Sequence, residues 1–180
     1  MGREKPAGSQ PVITRRHFLR TAAAGAGTAV LGQFGFPALL KAKEDAIRVG
    51  YLTPRTGFLG QVGEYGYNGI QLAVKELNAA GGVLGREIVL SAEDSVNPGV
   101  AVTKAQKLIE RDKAHFLIGE ISSASGLAIA QVAERARILY LNTGCNSDAL
   151  RGSNCQRFMF HVEGSNTMYT KTVGRWQQSK

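Results

Sequence analysis

From residue 47 onward, short apolar runs alternate with longer stretches whose apolar positions return every third or fourth residue. Ile47-Arg48-Val49-Gly50-Tyr51-Leu52 reads as a strand that ends in the turn-rich Thr53-Pro54-Arg55-Thr56-Gly57. Ile70, Ala73, Val74 and Leu77 then share one face of a helix over about 62–79, which Ala80-Gly81-Gly82 stops. A second strand, Ile88 to Glu93, closes at Asp94-Ser95-Val96-Asn97-Pro98. The next helix covers about 98–111, with Asn97 as its cap, Pro98 in its first turn, and Val102, Ala105, Leu108 and Ile109 on one face. Strands are expected at 115–118, 138–141 and 157–161, a helix from about Ser123 to Ala136, and a last helix from Asn166 toward Lys180.

Strand and helix alternating in this way predict an α/β fold, a doubly wound parallel sheet in a three-layer sandwich. Such sheets bind ligands at the carboxyl ends of their strands. Here those ends are the segments Thr53–Gly60, Asp94–Pro98, Gly119–Ser125 and Asn142–Asp148.

Residues 1–46 follow a different pattern. Thr14-Arg15-Arg16-His17-Phe18-Leu19-Arg20 precedes an Ala- and Gly-rich apolar run that reaches about Leu40. A basic start, an apolar middle and a small-residue exit are the parts of an export signal. The paired arginines resemble a twin-arginine signal peptide, the mark of the bacterial route for folded proteins. Cleavage is expected near Ala42 to Ala46, which places the mature part, 47–180, in the periplasm. A membrane anchor is the other reading of the run, but Gly25, Gly27, Gly32, Gly35, Gln33 and Pro37 interrupt it.

Charge adds little. The chain carries a formal net charge of +8, divided evenly between residues 1–46 and the remainder. In the mature part the charges are interspersed, and no basic block is interleaved with aromatics, so a nucleic-acid partner is not expected. Cys145 and Cys155 both lie in the exported part, where a disulfide is permitted; a pair of free thiols is equally open. Metal is not expected, because no His or carboxylate cluster accompanies them, and no cofactor motif occurs.

Two loops could carry chemistry. Gly119-Glu120-Ile121-Ser122-Ser123-Ala124-Ser125 sets three hydroxyls at a strand-to-helix junction, where unpaired amides and the helix dipole favour a carboxylate or phosphate. Plain capping by Ser122 or Ser123 is the alternative. Thr143-Gly144-Cys145-Asn146-Ser147-Asp148 follows the next strand and should lie beside it, either as a second binding loop or as an ordinary polar turn. Neither loop has the strained Gly-x-Ser-x-Gly elbow of a serine hydrolase, so an exported hydrolase using Ser123 or Ser125 is a remote reading. The Glu93-Asp94 pair reads as a turn former.

With these residues in view, the stretch Ile47 to Gly57 resembles the opening strand and loop of the branched-chain amino-acid type solute-binding proteins of ABC transporters. The segment Asn68-Gly69-Ile70-Gln71-Leu72-Ala73-Val74-Lys75-Glu76-Leu77-Asn78-Ala79-Ala80-Gly81-Gly82-Val83-Leu84-Gly85-Arg86 is similar to that family's first helix and Gly-Gly turn. Asp94 with Asn97-Pro98, and Ile118-Gly119 before the Ser loop, agree with it. The resemblance implies a leucine-binding protein-like, type I periplasmic binding fold, in which two lobes close on an amino acid or a related small carboxylate or amide. The ligand then passes to a permease in the inner membrane, and the chain itself is not an enzyme. Carried over by position, it implies ligand contacts at Ser123, Gly144, Cys145 and Asn146, with Val62 packing on the ligand.

Two departures accompany the resemblance. Family members commonly have Ala, Ser or Thr where Cys145 and Asn146 stand, which points away from a simple aliphatic amino acid. The family's chains are also longer, with a second lobe following the position of Lys180, so 47–180 is expected to be a partial N-terminal lobe of a truncated chain. The alternative function on the same fold is a ligand-sensing receptor or regulatory module.

Overall fold

The computed structural model describes residues 46–180; the expected export leader and its paired arginines lie outside the described residues. Five strands and four helices alternate: β1 (Ile47–Thr53), α1 (Gly60–Ala79), β2 (Ile88–Asp94), α2 (Pro98–Glu110), β3 (Phe116–Gly119), α3 (Ser123–Ala136), β4 (Leu139–Asn142), β5 (Met159–His161) and α4 (Asn166–Gln178). A single 3₁₀ turn, Asp148–Leu150, interrupts the long connection between β4 and β5. None of the described helices is long and apolar enough to cross a membrane.

All four strand pairs are parallel, in the order β2-β1-β3-β4-β5. The order reverses direction at β1, so the crevice between β1 and β3 is the switch point at which doubly wound sheets bind ligands. Leu52 stands beside Gly119, and Gly119 beside Asn142, which brings the ends of three strands into one row.

Alternation along β1 divides the two faces. Leu52 packs with Ala105 and Leu108 of α2, Leu117, Ile129 and Ala133 of α3, and Tyr140 in the main core. Gly50 lies on this face because a Cβ there would sit 2.7 Å from Leu117 Cδ2. Tyr51 and Thr53 point the other way, under α1, where Gly66 and Gly63 leave room for the tyrosine and threonine oxygens. Asn97 caps α2 as expected, its Oδ1 accepting from Val100 N at 3.0 Å.

The helices on the two faces differ in burial. α2 buries Ala105 and Leu108 of its expected face, with Val102 and Ile109 partly buried beside them, and α3 buries Ile129, Ala130, Val132 and Ala133, while α1 buries only Gly60 and Gly63. Ala73 and Leu77, two of the four residues that share its apolar face, are exposed. The reason is local. Glycines bring the first turn down onto the loop after β1, and Asn78 ties the last turn to Ile88 with two 2.8 Å hydrogen bonds. Between those ends a groove of about 310 Å³ opens between Tyr67, Gln71, Val74 and Lys75 of α1 and Leu90 and Ala92 of β2. α4 buries none of its residues. The strand boundaries shift slightly from the expected ones: β3 and β4 each begin and end one residue later, and β5 is confined to Met159–His161.

Candidate functional site

The site grows from the carboxyl end of β3. Gly119 has φ +123°, and a Cβ there would lie 2.0 Å from Leu52 O, so only glycine lets β3 pass this close to β1 before turning into α3. Glu120 follows, turned inward and 1% exposed. Its Oε1 accepts from Ile121 N and Ser122 N, both at 2.9 Å, and its Oε2 accepts from the Ser95 hydroxyl at the end of β2. Burial lifts the carboxyl above its ordinary range, although these three donors favour its charged form.

Ser122 occupies the N-cap position of α3, but its side chain makes no capping hydrogen bond. The N–H groups of Ser123, Ala124 and Ser125 have no backbone acceptor among the described residues, as the first turn of a helix dictates. They face the end of the sheet with the positive end of the helix dipole. Ser123 Oγ instead accepts from Ser147 N at 3.2 Å, which joins the Ser loop to the β4 loop. Ser125 Oγ is buried without a hydrogen-bond partner.

The β4 loop is shaped by one side chain. Asn142 is fully buried; its Oδ1 accepts from Cys145 N at 2.9 Å and Gly144 N at 3.3 Å, and its Nδ2 donates to Cys145 O at 2.9 Å. The loop therefore curls around the amide in an Asx-type turn. Asn142 Nδ2 also meets His161 Nδ1 at 2.7 Å, and the other ring nitrogen faces Leu150 O at 3.4 Å. Burial and the Arg151 charge lower the His161 pKa from its ordinary value.

Cys145 is buried against α3, with Sγ directed at Ser122 O at 3.4 Å. Burial, reinforced by Glu120, pushes its thiol up to about 12. Cys155 is exposed, and both cysteines are free thiols. Asn146, with its side-chain nitrogen turned toward Gly144 O and Gly164 O (3.3 Å each), bridges two loop backbones. Its own carbonyl takes Asn166 N at 2.8 Å, which anchors the start of α4.

Of the residues singled out from sequence, Ser123, Gly144, Cys145 and Asn146 thus come together in one hydrogen-bonded unit. Val62 belongs to another element, the first turn of α1 at the same end of the sheet, and is 53% exposed. Cys145 and Asn146 face protein backbone in this arrangement. What they leave open is the first turn of α3 and the Ser123 hydroxyl proton; Gly144 lies beside them with its N–H turned to Asn142 Oδ1. Asp94 does form a turn: it accepts from Arg55 N at 2.9 Å and from the Thr56 hydroxyl at 2.6 Å, fixing the loop after β1. Glu93 pairs instead with Lys104 and Lys107 of α2. No group of His, Cys, Asp and Glu among the described residues could hold a metal ion.

Sequence reasoning missed Glu120 and the Asn142–His161 pair as organisers. An acidic residue after a strand-ending glycine looks like loop polarity, and only the sheet register sets Asn142 beside His161.

The sequence pattern of the family described as periplasmic binding protein matches residues 46–180. The chain belongs to that family. Among curated relatives, a Leu/Ile/Val-binding protein homolog of Brucella abortus is 37% identical over 110 residues, which are 61% of this chain and 27% of that protein. Among solved structures, the branched-chain amino acid transporter substrate-binding protein of Streptococcus pneumoniae, in complex with isoleucine, superposes with a TM-score of 0.63 at 26% identity. That match covers 67% of this chain and 34% of the other. A solute-binding protein of an ABC transporter from R. palustris, in complex with benzoate, gives a TM-score of 0.62 at 27% identity, covering 68% and 34%. The chain therefore spans about a third of the length of these periplasmic binding proteins, with the leucine-binding-like type I fold.

Proposed function

We propose that residues 47–180 form ligand-binding structure of an extracytoplasmic solute-binding component of an ABC transporter. Its ligand is a small carboxylate, either an amino acid or an aromatic acid. The observation that carries this reading is the junction of the two loops. Ser123 Oγ, held by Ser147 N at 3.2 Å, sits beside three unpaired first-turn amides at the carboxyl ends of β3 and β4, next to the switch point of the sheet. A ligand carboxylate would accept from those amides and from the Ser123 hydroxyl, whose proton is free to donate while its oxygen accepts from Ser147. Relatives in complex with isoleucine and with benzoate share a carboxylate and little else, which agrees with recognition centred on that group.

The backbone packing of Cys145 and Asn146 makes them shapers of the pocket wall, while Ser123 and Gly144 are the direct contacts; Val62 would border the ligand from α1. The role is binding and hand-over to an inner-membrane permease, not catalysis. Among the described residues neither Ser123 nor Ser125 has an imidazole partner, and His161 is committed to Asn142. Residues 1–46 would serve as the export leader, delivered through the twin-arginine translocase to the periplasm.

Calorimetric titration of isoleucine, leucine and benzoate into the full-length protein and its Ser123→Ala variant tests the assignment. Loss of one charge-assisted hydrogen bond predicts a 10- to 100-fold weaker Kd, about 1.5–3 kcal/mol. Unchanged affinity for a ligand that the parent protein binds would remove Ser123 from the site.

A further inference from the structure

The Asn142–His161 contact has only one consistent hydrogen-bonding pattern. Asn142 Oδ1 is fixed as an acceptor by the N–H groups of Gly144 and Cys145, and Nδ2 is fixed as a donor by Cys145 O. The nitrogen that meets Nδ2 at 2.7 Å, His161 Nδ1, must therefore be an unprotonated acceptor. The proton sits on Nε2, which points at Leu150 O. The neutral Nε2–H tautomer satisfies every partner, whereas imidazolium would set an Nδ1–H donor against the Asn142 NH₂ donor.

We propose that His161 is a positioning residue for the β4 binding loop: its unprotonated Nδ1 holds the Asn142 amide that aims the Gly144 and Cys145 N–H groups, and protonation releases them. The inference rests on the reading that this loop borders the ligand. Coupling runs through a single buried side chain. Asn142 is fully buried, so an amide displaced by the ring cannot turn to water without taking Gly144 and Cys145 with it.

The surroundings favour the neutral ring. Partial burial disfavours the charged ring, and Arg151, just past the 3₁₀ turn, acts in the same direction from the β4–β5 connection; the bond to Leu150 O opposes them, and the net shift is downward. Asp148, at the start of that turn, is taken by Thr167 N and the Thr167 hydroxyl. Glu163, two residues along, accepts from the Tyr169 hydroxyl. Neither carboxylate is available to stabilise imidazolium through a direct bond. Glu120, the buried carboxyl of the neighbouring loop, is held by Ser95 and two amides.

The test needs no ligand, so its failure and a failure of the binding reading are separate events. In ¹⁵N-labelled full-length protein, the His161 ring and the amides of Gly144 and Cys145 are followed by NMR from pH 8 downward. The expected result is the Nε2–H tautomer at high pH. The Gly144 and Cys145 amides should then shift with the same midpoint as the ring, below the ordinary histidine value of 6.5. In His161→Gln, whose side-chain oxygen can accept from Asn142, those amides should hold their high-pH positions throughout. An Nδ1–H tautomer, amides that stay fixed while the ring titrates, or the same amide shifts persisting in His161→Gln would overturn the proposal. Should His161→Gln fail to fold, agreement or disagreement of the three midpoints in the parent protein decides alone.

Discussion

Gly126 and Cys145 fit together as a notch and its filling: a Cβ on Gly126 would lie 2.5 Å from Cys145 Sγ and 3.2 Å from Cys145 Cβ. The β4 loop can lie against the first turn of α3 only because residue 126 has no side chain and residue 145 is small. Gly126→Ala should therefore overpack the junction and cost about 1–3 kcal/mol. In the double variant Gly126→Ala with Cys145→Ala, the added methyl occupies the space the sulfur leaves. Urea denaturation of the four proteins should give a favourable coupling of about 1 kcal/mol or more between the two sites. Additive losses would show that the two residues do not share this space.

The same packing separates the chemistry of the two thiols. Cys145 is 1% exposed and pushed up to about 12 by burial, whereas Cys155 is exposed. The thiolate is the reacting species, so iodoacetamide at pH 8 should label Cys155 alone in the native protein. Mass spectrometry should find one carbamidomethyl group, rising to two in denaturant. Two rapid additions to the native protein would contradict the buried position of Cys145.

Glu120 separates the effect of a charge from that of an acceptor. Its pKa is raised by burial, so the folded state binds a proton more tightly than the unfolded chain does. Stability associated with this group is then greatest below the ordinary carboxylate value of 4.5 and declines as pH rises from there through the raised folded value. Glu120→Gln keeps an oxygen for Ile121 N and Ser122 N and removes the charge. It should abolish that decline and be neutral or mildly stabilising at neutral pH. Glu120→Ala leaves both amides without their acceptor and should cost about 1–3 kcal/mol. Thermal melts of the three proteins between pH 4 and 8 distinguish these outcomes.

The contrast between what was legible in the chain and what was not has a common physical origin. Local chemistry wrote the strands, the Asn97 cap and the Ser-rich start of α3 into consecutive residues, and the parallel direction of the strands followed from their alternation with helices. That the Ser loop and the β4 loop lie side by side is legible too, whereas the bond from Ser147 N to Ser123 Oγ is a detail of the folded loops. Glu120 could not be read from the chain, because its inward turn depends on Ser95 from a different strand end. Nor could the pairing of Asn142 with His161, which is set by the register of β5 on β4 after a long connection of irregular backbone. The apolar periodicity of α1 is legible in the chain, but the burial of that face is not. Periodicity reports which residues share a side of a helix, whereas burial depends on what lies opposite. Here a groove runs beside Val74, and Leu77 remains 45% exposed.

Two glycines that look alike in the sequence should respond oppositely to alanine. At Gly119 the backbone has φ +123° and Leu52 O lies 2.0 Å from the position a Cβ would take, so neither the conformation nor the space admits a side chain. Gly119→Ala should cost more than about 3 kcal/mol, because the strain falls where β1 and β3 meet and cannot be relieved without parting them. Gly69 lies within α1, and a Cβ there would meet nothing within 4 Å. Gly69→Ala removes only the conformational freedom of the unfolded chain and the helix penalty of glycine, and should stabilise by about 0.5–1 kcal/mol. Chemical denaturation of both variants tests the pair. A stabilising Gly119→Ala would refute the close passage of β3 past Leu52, and a destabilising Gly69→Ala would show that this face of α1 is covered by something that the space around Gly69 does not reveal.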